Sequence, residues 1–166
     1  MKVNIAILTV TDTRTFENDK SGAILVKKIE EASHNLIDRQ ICKDNKEDIK
    51  KILKEWINKK EIDVVITTGG TGLTGRDITP EAVNEIADKH IPGFGEVFRT
   101  LSLKTVGTSA IQSRACAVLA NGKYVFALPG SSGGVTDAWD GILKYQLDIN
   151  HKPCNFVELF PRLKEK

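Results

Sequence analysis

Apolar residues recur along this chain with two different periods, and the alternation between them lays out the fold. Ile5-Ala6-Ile7-Leu8-Thr9-Val10 is a near-continuous apolar run rich in β-branched side chains, the pattern of a strand covered on both faces. Asp19-Lys20-Ser21-Gly22 then offers capping residues, and Leu25, Ile29 and Ala32 mark one helical face at i, i+4 and i+7. A second strand is predicted over Asn35 to Cys42. The helix after it is marked by Ile49, Ile52, Leu53, Trp56 and Ile57, and Asp63 to Thr68 repeats the buried-strand pattern. The order β-α-β-α-β with short connections predicts an open parallel sheet with helices on both faces and right-handed crossovers.

Past a glycine-rich loop, Thr79-Pro80-Glu81 reads as a helix entry, with a hydroxyl at the cap, proline in the first turn and an acid behind it. That helix is expected to run to about Lys89. Phe94, Phe98 and Leu101 predict a further short helix, whose stripe buries either in this core or against another subunit. Ser113 to Ala120 and Lys123 to Leu128 flank Asn121-Gly122, a dipeptide suited to the positive φ angles of a two-residue hairpin turn. Pro129 to Gly134 reads as a loop. Ala138, Trp139, Ile142, Leu143 and Leu147 mark the last helix, and residues 151–166 form a tail too apolar to hang free. The expected fold class is α/β: a single domain over residues 1–166, a three-layer α-β-α sandwich with a mostly parallel sheet and an antiparallel hairpin strand.

Composition narrows the partners. At 166 residues one domain is expected, and 24 Lys plus Arg against 22 Asp plus Glu leave a net charge of +2 with no basic stripe, so nucleic acid is not an expected partner. No apolar run approaches the roughly 20 residues of a membrane helix, and no signal-peptide pattern opens the chain, so a cytoplasmic protein is expected. Cys42, Cys116 and Cys154 are odd in number and scattered, which argues for reduced structural thiols rather than a zinc site or a disulfide framework.

Candidate chemistry gathers in the loops that follow the strands. Thr11-Asp12-Thr13-Arg14-Thr15, Gly69 to Asp77 and Pro129 to Gly134 all fall at the carboxyl edge of the expected sheet, where open α/β sheets bind ligands. Gly70, Gly72 and Gly75 match G-x-G-x-x-G by count, but the helix signal waits until Thr79, unlike a dinucleotide fold. Arg76-Asp77 stands where a P-loop needs lysine and a hydroxyl. What remains is a glycine-rich anion cradle of Gly69, Gly70, Thr71 and Gly72, with Thr68 adding a hydroxyl and Arg76 a positive charge. Asp77 among such groups points either to Mg²⁺ bridging protein and phosphate or to support for the Thr79 cap. Asp44 is a second carboxylate at the same edge or an N-cap for the next helix. Ser131 and Ser132 form either a second phosphate loop or a turn, and Ser113-Arg114 either reaches an anion or salt-bridges internally.

Thr67-Thr68-Gly69-Gly70-Thr71-Gly72, Arg76-Asp77-Ile78-Thr79-Pro80-Glu81, Pro92-Gly93-Phe94-Gly95-Glu96, Ser113-Arg114 and Leu128-Pro129-Gly130-Ser131 together resemble the MoaB/Mog family of molybdenum-cofactor biosynthesis, which includes the gephyrin G domain. Gly107 to Gln112 and Lys152-Pro153-Cys154-Asn155-Phe156 look like the MoaB branch. The resemblance implies binding of molybdopterin and its adenylylation by ATP with Mg²⁺, releasing pyrophosphate. It implies Asp77 and Asp44 as the functional, Mg²⁺-holding carboxylates. It implies Thr11-Asp12-Thr13-Arg14 and Asp19-Lys20-Ser21-Gly22 as the first ligand-binding segment, with Thr11, Asp12, Arg14 and Ser21 as its binding residues, and Pro129, Gly130 and Ser131 as the last. A homotrimer or homohexamer is implied too, with other molybdenum-cofactor enzymes among the partners. Two alternatives stand beside this reading: a non-catalytic molybdopterin carrier or assembly protein, and an unrelated nucleotide-binding enzyme on the same fold.

Overall fold

Asn4–Val10 form β1, and their period-2 side chains divide between two cores: Ile5 and Ile7 join one, Ala6, Leu8 and Val10 the other. The structure is a computed structural model that describes residues 1–165. Helix α1 (Lys20–Glu31) leads to β2 (Asn35–Cys42), and α2 (Lys46–Asn58) to β3 (Val64–Thr68), as the periodicities predict. With β4 (Lys89–His90), β5 (Cys116–Ala120) and β6 (Lys123–Leu128), the strand order within the sheet is β2-β1-β3-β6-β5-β4. Strands β1, β2, β3 and β6 run parallel; β5 and β4 pair antiparallel at one edge. Leu25 and Ile29 of α1 pack on one face of the sheet with Phe94 and Phe98 of α4 (Pro92–Val106) and Val135 and Ala138 of α5 (Ser132–Ala138). Leu53 and Trp56 of α2 and Ala82 and Val83 of α3 (Thr79–Glu85) close the other, completing the three-layer α/β sandwich. Among the described residues no helix is long and apolar enough to cross a membrane.

Several boundaries differ from the sequence reading. Helix α3 ends at Glu85 rather than near Lys89, because the chain turns into β4, a polar two-residue strand with no periodicity to betray it. Thr79 is the first residue inside α3, not its cap; the cap position is Ile78, and the Thr79 hydroxyl instead donates to the Gly69 carbonyl at 2.8 Å. Strand β5 starts at Cys116 rather than Ser113. Helix α4 has 15 residues and is not short, and its Phe94 and Phe98 bury in this chain's own core. The last helix begins at Ser132, inside the expected loop, and continues through a π-helical turn (Trp139–Leu143) into α6 (Lys144–Gln146). Asn121 and Gly122 take φ of 48° and 72°, the paired positive values that a two-residue hairpin turn demands. In the tail, Phe156 and Phe160 pack tilted against Tyr124 with ring centroids 4.6 and 5.7 Å away, and Val157 is buried.

Candidate functional site

The chain runs from β1 to β2 on one side and then returns to place β3 on the other, so strand order reverses between β1 and β3. A crevice opens at the carboxyl ends of strands flanking such a reversal. Here it is a cleft of about 520 Å³.

Three loops build it. After β1, the Thr11 hydroxyl accepts from the Thr13 and Arg14 amides at 3.2 and 3.3 Å, which curls the chain back over α1. Arg14 then spans two loops, donating to the Ser21 hydroxyl at 3.1 Å and to the Gly130 carbonyl at 3.0 Å. After β3, Gly69 and Gly70 have φ of 101° and 68°, where L side chains are strained, and a Cβ at Gly69 would run into the Val10 carbonyl. After β6, Gly130 passes so close that a Cβ there would sit 3.2 Å from the Gly69 Cα. Gly70, Thr71 and Gly130 line the cleft, and among the described residues no oxygen accepts from their backbone N–H groups. Unpaired amides on a concave surface make an anion-binding nest.

The carboxylates divide by role. Asn45, not Asp44, caps α2, its side chain accepting from the Glu47 and Asp48 amides. That leaves the Asp44 carboxylate for the cleft. Burial together with the nearby Asp12 and Asp77 pushes the Asp44 carboxyl up, only partly offset by Arg76. Asp77 instead folds the glycine loop: its Oδ2 accepts from the Thr74 amide at 2.8 Å and hydroxyl at 2.7 Å. Burial alone would raise Asp77, but these Thr74 bonds, the Gly72 amide and Arg114 outweigh it and hold its carboxyl low. It does not support the Thr79 hydroxyl. Among the described residues no three His, Cys, Asp or Glu side chains are placed to hold a metal unaided. Mg²⁺ characteristically takes one or two carboxylates and completes its shell with phosphate and water oxygens, so the crowded Asp44, with Asp77 beside it, fits that ion as a partner of a phosphate ligand.

Of the residues singled out in the sequence, Thr11, Arg14, Asp44, Gly69, Gly70, Thr71, Gly72, Arg76, Asp77, Ser113, Pro129, Gly130 and Ser131 all line the cleft. Four stand behind it. Asp12 accepts from the Asp44 amide at 3.1 Å and lies 3.6 Å from Arg76. Ser21 is buried under Arg14, and Thr68 donates its hydroxyl to the Pro129 carbonyl at 2.8 Å. Arg114 donates to the carbonyls of Gly72 and Asp77 at 2.7 and 2.8 Å and pairs with Glu81, so it clamps the glycine loop to α3 rather than facing a ligand. Thr13, from the first of the expected loops, lines the cleft as well; Thr74 and Gln112 do so without having been singled out, since isolated polar loop residues carry no periodic signal. Asp19, which the sequence offers as a capping residue, carries more than a cap. It is buried, caps α1 through the Gly22 amide, and accepts from Thr9 at 2.7 Å and Arg39 at 2.9 Å. The Asp19-x-x-Gly22 spacing signals it, because any Cβ at position 22 would collide with that carboxylate.

Residues 6–148 match the family described as "Probable molybdopterin binding domain". "Molybdenum cofactor biosynthesis protein B" of Escherichia coli K12 is 45% identical over 161 residues, 97% of this chain and 93% of that one. The Bacillus cereus protein of the same name is 45% identical over 147 residues, 88% of this chain and 87% of the relative. A crystal structure of a molybdenum cofactor biosynthesis protein B superposes with a TM-score of 0.90 at 40% identity, covering 100% of this chain and 98% of the other. The tungsten cofactor synthesizing protein MoaB from Pyrococcus furiosus gives 0.77 at 35% identity, covering 86% and 91%.

Proposed function

The chain belongs to the molybdopterin-binding domain family of molybdenum cofactor biosynthesis, MoaB group, and from that premise we propose that it adenylylates molybdopterin with Mg-ATP. In this reaction an oxygen of the molybdopterin phosphate attacks the α-phosphorus of ATP. A new P–O–P bond forms, the α–β bridging P–O bond breaks, and its electron pair leaves with pyrophosphate. The nucleophile is already an oxyanion, so no histidine base is required. The protein's task is to hold two polyanions together against their repulsion and in line.

The observation that carries the reading is the set of unpaired amides of Gly70, Thr71 and Gly130 facing Asp44 across one cleft. The amides and Arg14 and Arg76 receive phosphate oxygens, and the fixed glycine backbone holds these donors without reorganisation as charge develops. Asp44, with Asp77 next to it, is the side chain that would hold Mg²⁺. When bound, that ion supplies charge neutralisation at the phosphates. Relief of the Asp44–Asp12 repulsion by a cation favours metal and nucleotide entering together. A homotrimer or homohexamer is part of the proposal, checked by light scattering.

The test supplies molybdopterin and Mg-ATP and looks for adenylylated pterin and pyrophosphate. Product formation that fails without Mg²⁺ and in Asp44→Asn supports the enzyme. Binding of molybdopterin with neither nucleotide binding nor product at high ATP would replace it with the non-catalytic carrier.

A further inference from the structure

The open amides of Gly70 and Thr71 belong to the Gly69–Gly70 and Gly70–Thr71 peptides, and nothing in glycine itself fixes which way those peptides face. In a planar trans peptide the C=O and N–H point in opposite directions, so each amide faces the cleft only while the carbonyl of its own peptide faces away. Gly69 and Gly70 have φ of 101° and 68°. The freedom that admits these values also lets a peptide between two glycines turn over, which would put a carbonyl oxygen where an anion's oxygen is to lie. The direction must be imposed from outside the loop.

Thr79 imposes it. The Gly69 carbonyl accepts from the Thr79 hydroxyl at 2.8 Å, and the Gly70 carbonyl accepts from the Thr79 amide at 3.0 Å. Thr79 opens α3, where first-turn amides have no partner within the helix and are free to donate outward. It is fully buried, and a Cβ at Gly70 would run into its hydroxyl, so the contact leaves no slack. The next two carbonyls are held by Arg114: that of Thr71 accepts from its amide at 2.9 Å, and that of Gly72 from its Nε at 2.7 Å. With the Thr71 carbonyl so held, the Gly72 amide points the other way and donates to the Asp77 carboxylate, which lines the cleft. The Gly70 and Thr71 amides have the same kind of support behind them and, among the described residues, no such partner in front. The two bonds of Thr79 differ in one respect. Its amide is present in any residue but proline, whereas its hydroxyl belongs to the side chain, so the Gly69–Gly70 peptide depends on which residue stands at position 79.

We propose that the Thr79 hydroxyl is a positioning group for the anion site: by holding the Gly69 carbonyl against α3, it aims the Gly70 amide at a phosphate oxygen of the ligand. The proposal rests on reading the cleft as a phosphate site.

Thr79→Val removes the hydroxyl at nearly unchanged volume, Thr79→Ala removes it and leaves room, and Thr79→Ser restores it. The probe is inorganic pyrophosphate, followed on the full chain by titration calorimetry and by amide nuclear magnetic resonance. In the unmodified protein pyrophosphate is expected to move the Gly70 and Thr71 amide protons downfield and to leave the Gly72 amide, already engaged by Asp77, in place. Thr79→Val and Thr79→Ala are expected to bind roughly tenfold or more weakly, since a charge-assisted bond is lost and the Gly69 carbonyl is left without its donor. In both, the Gly70 response should vanish while that of Thr71, whose peptide is held by the main-chain N–H at position 79, persists; a general loosening of the fold would remove both alike. Thr79→Ser should recover the affinity and the Gly70 response. Unchanged affinity in the two hydroxyl-free variants, or a Gly70 amide that still responds in them, overturns the proposal and leaves the phosphate reading of the cleft standing. Absence of pyrophosphate binding in the unmodified protein overturns both. If neither hydroxyl-free variant folds, the unmodified protein and Thr79→Ser decide: a Gly70 response in both without one at Gly72 supports the proposal, and pyrophosphate binding with no Gly70 response overturns it.

Discussion

Removing the Asp19 carboxylate should cost this protein a large part of its stability, although Asp19 touches no expected ligand. Its side chain is fully buried and its Arg39 partner is 20% exposed at the side chain, with a 2.9 Å ion pair between them. The Arg39 Nε is already buried without a partner. Asp19→Ala would leave the guanidinium only the Asp19 backbone carbonyl at 3.5 Å and the Phe16 ring, whose centroid is 5.1 Å from Cζ, and breaking a buried pair in this way costs about 3–5 kcal/mol, here nearer 3 because Arg39 keeps these contacts and some water. Loss of the α1 cap adds about 1 kcal/mol. The sum of about 4 kcal/mol is a sizeable share of an ordinary 5–15 kcal/mol total, and should lower the melting midpoint by roughly 10 °C in a chain of this size. Asp19→Asn keeps the cap and one acceptor for Arg39 and should cost about half as much, since charge-assisted bonds are about twice as strong as neutral ones. The pH dependence has a definite sign. Burial acts to raise the Asp19 carboxyl, but the bonds from Arg39, Thr9 and Gly22 hold it below its ordinary 3.8. Its contribution is therefore complete above that value and lost as pH falls through the lower folded one. Urea unfolding of the three proteins at pH 7, 5 and 3.5 checks this. Equal stability of Asp19→Ala and Asp19→Asn, or a gap that widens on acidification, would refute the reasoning.

Asp44→Asn should have the opposite effect on the empty protein. The folded carboxyl is raised, so its ionised form opposes folding at neutral pH; the variant should melt slightly higher at pH 7, with no difference at pH 3, while Mg²⁺-dependent nucleotide binding disappears in calorimetry. Gly69→Ala must place a Cβ against the Val10 carbonyl at φ of 101°, and should abolish pyrophosphate binding even where circular dichroism shows a folded chain. Burial pushes the Cys42 thiol up to about 12 and the Cys116 thiol up to about 11. At pH 8 a thiol reagent should therefore label exposed Cys154 quickly and the other two only on unfolding, so three fast-reacting thiols in native protein would contradict the packing. Deleting residues from Pro153 onward uncovers Tyr124 and removes buried Val157, and should lower the melting midpoint by several degrees in a thermal scan.

The parts of the fold legible in sequence were the continuous apolar runs of β1 and β3, covered on both faces, and the one-sided apolar stripe of α2. Strand β2 and helix α2 fall within a residue or so of the periodicity because Ile49, Leu53 and Trp56 need no other information to face inward. Strand β4 was hidden because two polar residues have no period, and α5 because Gly133-Gly134 reads as a loop. Glycine is nonetheless what the first turn of α5 requires: a Cβ at Gly134 would lie 2.9 Å from both Pro129 Cβ and the Ser131 hydroxyl. In the site, the positions of the loops were legible but the partners of their side chains were not. Arg114 and Thr68 look like ligand groups by composition and are consumed by backbone carbonyls, a choice that depends on segments 42 and 61 residues away in the chain. Asp44 was ambiguous until Asn45 was seen to cap.

The strand order also sets when during synthesis the cleft comes into being. Its floor is the pairing of Thr68 with Leu128 and the Gly69 amide donating to the Leu128 carbonyl at 3.0 Å, so β3 has no neighbour on that side until β6 has left the ribosome. By then more than three-quarters of the polypeptide exists, and the two antiparallel edge strands have only β6 through which to join the sheet. A nascent or truncated chain ending before Leu128 can hold β1, β2 and β3 but cannot hold Gly130 over Gly69. On the proposed reading of the cleft, ligand capture is thereby confined to chains that have passed Gly130, and a phosphorylated ligand would not be sequestered by half-made ones.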